Sequence, residues 1–135
     1  MEQQKQYKAR RKQYCLEVDP MPWQRAGLNG TKFYDTQVRG KNYCGLMLLK
    51  QHGDEPQFTG PLYIDVSFYL RPSKSKKRDL THHAIKPDVD NLLKFLFDTM
   101  VKNGMLSDDK IICQLTAQKK WDLNPRTEIT IMELE

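Results

Sequence analysis

Apolar residues alternate through residues 61–70, where Leu62, Ile64, Val66, Phe68 and Leu70 recur at period two, the pattern of a strand with one packed face. A different period governs residues 90–103. There Leu92, Leu93, Leu96, Phe97, Met100 and Val101 follow helical spacing, and Gly104 supplies the stop. Looser helical spacing of Val38, Tyr43, Leu46, Met47 and Leu49 predicts another helix over 35–51. Residues 14–18 alternate and end at Asp19-Pro20-Met21-Pro22, which predicts a short strand entering a proline-fixed turn. Residues 23–34 mix aromatic and basic side chains with Gly27, Asn29 and Gly30, a loop or hairpin. Residues 111–117 and 127–134 predict two further strands, and Asn124-Pro125-Arg126 between them predicts a turn and hence a terminal hairpin. Met100 and Cys113 read as core residues of their helix and strand.

These elements describe an α+β fold, a mixed β-sheet packed with two main helices, and 135 residues fit one small domain. No apolar run approaches a membrane-spanning length, and residues 1–12 lack the apolar core of a signal peptide. The three cysteines Cys15, Cys44 and Cys113 have no metal-binding or disulfide spacing, so reduced thiols and a cytoplasmic location are expected.

Charge changes the picture more than composition does. Lys and Arg number 22 against 17 Asp and Glu, a net charge of +5 that points to an anionic partner. Within residues 71–86, Arg71, Lys74, Lys76, Lys77, Arg78 and Lys86 face Asp79 alone, a local excess as large as that of the whole chain. Low apolar content makes this stretch a long mobile loop suited to gripping phosphates. Lys5, Lys8, Arg10, Arg11 and Lys12 form a second basic cluster, read as a flexible arm over residues 1–12.

Against this basic background stands the run Lys86-Pro87-Asp88-Val89-Asp90-Asn91, with Lys94 and later Asp108-Asp109. In extended backbone ahead of the helix, Asp88 and Asp90 share a side and can address one ion. Lys94 lies four residues beyond Asp90 on the same helical face. The helix over 90–103 is roughly 21 Å long, and an extended 104–109 segment spans roughly 20 Å, so Asp109 has the reach to return to the helix start. Carboxylate oxygens suit a hard cation such as Mg²⁺, and with a basic surface they suggest metal-assisted phosphodiester cleavage. The plainer alternative is that Asp88 and Asp90 cap the helix while Asp108-Asp109 form a surface turn.

The same residues, with Phe97-Asp98 and Gly104, resemble the RusA-type Holliday junction resolvases of bacteria and their prophages. The resemblance is specific over about residues 86–118 and weaker before them. It implies a RusA-like fold, catalytic roles for Asp88, Asp90, Lys94 and Asp109, and metal ligation by Asp88, Asp90 and Asp109. It further implies one or two Mg²⁺ ions, with Mn²⁺ as a substitute, and a homodimer that makes paired nicks in a four-way DNA junction. A nuclease for other branched DNA and a non-catalytic junction-binding protein are the competing classes. His82 and His83 read as solvated rather than metal-bound, because adjacent side chains point apart in extended backbone. Trp23, Phe33, Tyr34 and Arg25 either complete the small core or stack on opened bases.

Overall fold

The computed structural model describes residues 9–29, 32–72 and 82–135. Its elements run β1 (Arg11–Leu16), β2 (Gly27–Asn29), β3 (Lys32–Tyr34), α1 (Val38–His52), β4 (Leu62–Leu70), α2 (Val89–Lys102), a single 3₁₀ turn (Asp109–Ile111), β5 (Ile112–Trp121) and β6 (Arg126–Glu133). β2 and β3 pair antiparallel in a small sheet of two strands. The other strands make one mixed sheet in the order β1-β6-β4-β5, with β5 parallel to β4 and the remaining pairs antiparallel. The α+β class expected from the sequence is the class observed.

The predicted terminal hairpin does not form. β5 and β6 flank β4 on opposite edges, and the connection between them passes the end of β4, where the Asp122 N–H donates to the Leu70 carbonyl at 2.9 Å. The inner row of β4 explains the arrangement. Leu62, Ile64 and Val66 are fully buried and Phe68 is nearly so, and a central position satisfies both edges of this strand while burying that row. Register places Ile131, Ile129 and Thr127 of β6 and Tyr14 and Leu16 of β1 beside the same row. Helices α1 and α2 pack side by side over this face through Cys44, Leu48, Leu92, Leu96 and Met100. The opposite face is polar, with Tyr63, Asp65, Thr116 and Thr130 along it.

Two further expectations change. Cys113 is exposed, because it lies at the start of an edge strand that the helices do not cover; Met100 is buried as expected. Arg11 and Lys12, assigned to the basic arm, are the first residues of β1. Arg10 anchors that start: its Nε donates to Glu133 Oε1 at 2.8 Å, and its guanidinium stacks 4.1 Å above the Phe58 ring. Among the described residues no helix is long and apolar enough to cross a membrane.

Helix α2 ends on a Schellman motif, in which Met105 N–H donates to Met100 O and Gly104 N–H to Val101 O, with Gly104 at φ 76°. Beside it, Gly45 of α1 lets the two helices approach closely. A β-carbon there would overlap the Asn103 amide, which is held at 2.8 Å from Thr99 O and 3.3 Å from Lys41 O. Gly→Ala within a helix ordinarily stabilises by up to about 1 kcal/mol. At Gly45 the sign reverses. Gly45→Ala is expected to lower the urea unfolding free energy by about 1–3 kcal/mol, and an added Asn103→Ala to recover part of that loss.

Candidate active site

The head of α2 lies at the C-terminal end of β4, where Leu70, Lys86, Asp88 and Asn91 line one pocket of about 610 Å³. Asp88 is the N-cap residue, extended at φ −70° and ψ 145°, and its carbonyl accepts the first helical bond from the Leu92 N–H at 3.2 Å. Its carboxylate makes no capping hydrogen bond. Side-chain capping therefore does not account for Asp88. Asp90 occupies the first turn, and both carboxylates are exposed where the amide dipoles of a helix start favour negative charge.

Lys94 follows one turn later. Its ammonium sits 3.6 Å from the centroid of the Trp23 indole, within cation–π range. The backbone N–H of Trp23 donates to the Asn91 carbonyl at 2.9 Å, which fixes the strap before β2 against α2. Among the described residues, Lys94 forms no ion pair with Asp90 or Asp98, although each lies four residues away along the helix. Trp23 is half-buried against the core as well, as the core reading of this aromatic expects.

Asp109 occupies a different place. The chain leaving α2 docks at once against Phe58: Phe58 N–H donates to Met105 O at 2.9 Å, Ser107 N–H donates to Phe58 O at 3.0 Å, and Met105 and Leu106 are fully buried. The length available for returning to the helix start is spent on that docking. Asp109 lines a shallow pocket of about 250 Å³ with Asp98, Val101, Lys102 and Asp108. Asp98 lies eight residues after Asp90, roughly 12 Å along the helix axis. Asp88 and Asp109 thus line different pockets, and among the described residues no three His, Cys, Asp or Glu side chains are grouped to hold a metal.

The Asp108-Asp109 pair is itself asymmetric. Asp108 accepts the Lys110 N–H at 2.9 Å and caps the 3₁₀ turn, and this bond, with help from Asp109, holds its carboxyl below the usual range. Asp109, an exposed residue, is pushed up, first by sharing a hydrogen bond with Asp108, then by slight desolvation and by the charges of Asp108 and Asp98.

Of the predicted DNA-binding residues, Arg71 and Lys86 line one pocket of about 260 Å³ beside Trp121. Lys74, Lys76, Lys77 and Arg78 lie outside the described residues. His82 is exposed and bridges to Lys120. His83 is not solvated but buried, its ring 4.2 Å from that of Trp121, because the His83 N–H bonds Lys119 O and draws the segment onto β5. Sequence reasoning also missed Lys119, whose ammonium donates to Ile85 O at 2.8 Å and Pro87 O at 2.7 Å and so pins the approach to Asp88. A lysine among polar strand residues carries no signal of that contact.

Two exposed carboxylates and a lysine thus stand on the head of one helix, near a pocket that Arg71 and Lys86 line, in a small α+β domain. Comparisons with known proteins identify the family. A profile of the family described as Endodeoxyribonuclease RusA matches residues 17–132. The crossover junction endodeoxyribonuclease rusA of Lactococcus phage r1t is 37% identical over 131 residues, covering 90% of this chain and 98% of the phage protein. The uncharacterized protein YqaN of Bacillus subtilis (strain 168) is 34% identical over 105 residues, covering 70% of this chain and 72% of its own. The chain belongs to the RusA endodeoxyribonuclease family, and it is a nuclease.

The asymmetry of the acidic pair has a direct check. Asp108→Asn keeps an oxygen for the Lys110 N–H but removes the carboxylate that shares a hydrogen bond with Asp109 and repels its charge. Carboxyl carbon NMR titration is expected to show the Asp109 pKa falling toward the ordinary aspartate value; an unchanged midpoint contradicts the assigned cause.

Proposed function

We propose that the protein resolves four-way (Holliday) DNA junctions by paired nicks, as a Mg²⁺-dependent, structure-selective endodeoxyribonuclease acting in recombination and repair. One observation carries the reading: Asp88 and Asp90 present exposed carboxylates at the head of α2, Asp88 without a capping bond, in a chain that aligns with nearly the full length of the phage r1t enzyme.

The donor set fits the ion in kind. Mg²⁺ prefers oxygen ligands and is commonly held by one or two carboxylates, with waters and substrate phosphates completing its shell. Asp88 and Asp90 would supply those carboxylates, and the chemistry supplied there would be Lewis-acid activation of the scissile phosphate and of an attacking water. Lys94 neutralises charge that develops on the phosphate oxygens from one turn along the same helix. Asp109 completes the family's set of four residues, from a pocket that it shares with Asp98. Arg71 and Lys86, leading away from Asp88, hold the flanking phosphates, and the lysines and arginine over residues 74–78 extend that grip. A homodimer places two such sites about a two-fold axis, matching two equivalent strands of the junction. The expected location is the cytoplasm.

A panel of linear, forked and four-way DNAs incubated with Mg²⁺ tests the substrate class; cleavage confined to forks or linear DNA would replace the junction by another branched or duplex substrate. Within that assay, Asp90→Asn and Asp109→Asn are each expected to lower the cleavage rate by about a hundredfold or more while junction affinity changes by less than about threefold. Wild-type cleavage by either variant removes that residue from the site. Arg71→Ala with Lys86→Ala is expected to weaken junction binding and reduce the slope of log K against log salt by about two, with little dependence on junction sequence.

A further inference from the structure

We infer that Trp23 is the positioning residue for Lys94, and that the strap carrying it is built to keep this ammonium away from the neighbouring carboxylates. The inference rests on the reading of Lys94 as part of the cleavage site. The strap is locked on consecutive residues. Gln37 grips it with both ends of its amide: Nε2 donates to Pro22 O at 2.8 Å and Oε1 accepts the Gln24 N–H at 2.9 Å. From the other side Asn91 O accepts the Trp23 N–H at 2.9 Å. Gln37 is buried and is itself held, its N–H donating to Asp35 Oδ1 at 2.8 Å while Asp35 Oδ2 pairs with the buried Lys41. The indole face is therefore a fixed part of the fold rather than a drifting surface contact.

The consequence is electrostatic. On a helix, a lysine with aspartates four residues before and after it ordinarily pairs with one of them. Lys94 has Asp90 and Asp98 at those positions, yet its ammonium lies on the ring. A cation on a π face keeps its charge and its N–H donors, and it loses rotamer freedom in advance of the reaction. Pairing with Asp90 would instead neutralise a carboxylate that the reaction needs as an anion. Trp23 thus serves both partners, holding the cation one turn from the acids and leaving the acids uncompensated.

The contact should be visible without any substrate. In the wild type, the indole ring current is expected to move the Lys94 ε-methylene proton resonances upfield, and Trp23→Leu should return them to ordinary lysine positions. On a cleavable four-way junction, Trp23→Leu is expected to lower kcat about tenfold with KM little changed, while Trp23→Phe, which keeps a π face, retains most of the rate. Gln37→Met, which frees the strap but leaves Trp23 in the chain, should reproduce the kcat loss even if Trp23→Leu folds poorly. In a Lys94→Gln background, Trp23→Leu should cost nothing more. An additive loss in that background, or equal rates for the Leu and wild-type proteins, overturns the positioning role. A wild type that cleaves but lacks the upfield shift overturns it as well and leaves the nuclease reading intact. A wild type that shows the shift but cleaves no DNA overturns the nuclease reading instead.

Discussion

Burial of the inner row of β4 is the constraint on which the rest of the molecule depends. Leu62, Ile64 and Val66 are fully removed from solvent, and each such side chain contributes about 1.5–3 kcal/mol relative to exposure. Surface ion pairs such as Arg126 with Asp122 are screened by solvent and contribute far less. The apolar row therefore decides the topology. It draws β5 and β6 to opposite edges and lays α2 across the row, with the head of the helix beside the C-terminal end of β4. The strand that contains none of the family residues determines where they stand.

Around that frame the charged groups sort into two environments. At the head of α2, Asp88 has no capping bond and Lys94 is committed to an indole, so negative charge stays available. Near the other end of the helix, Asp108 is committed to the Lys110 N–H and Asp109 is loaded by its neighbours' charge. A single run of family residues thus supplies two chemically different carboxylates, separated by a core-docked turn at Met105–Ser107.

Burial on one side writes itself into residue order, which is why β4 and α2 are legible from period alone, together with Gly104 as the helix stop. Strand pairing is not written that way. The Asn124-Pro125-Arg126 turn looks the same whether its flanking strands meet each other or straddle a third, and only competition for the β4 edges decides it. At the site, Asp88, Asp90 and Lys94 are legible because sequence spacing fixes their relation to one helix. The distance of Asp109 is not, because chain length gives its reach and the docking of Met105 and Leu106 on Phe58 determines how much of that reach is used. The Trp23 contact is half legible: aromatic and basic residues mix in that segment, but nothing in the order of residues links position 23 to position 94.

The central claim is that the head of α2 is the cation-binding end of the molecule. Substoichiometric Mn²⁺ added to isotope-labelled protein tests it most directly, since the paramagnetic ion broadens nearby amide resonances in proportion to proximity. The account predicts that broadening centres on Asp88–Asp90 and fades along α2 toward Lys102. Broadening centred on Asp98, Asp108 and Asp109, with the first turn of α2 unaffected, would contradict it.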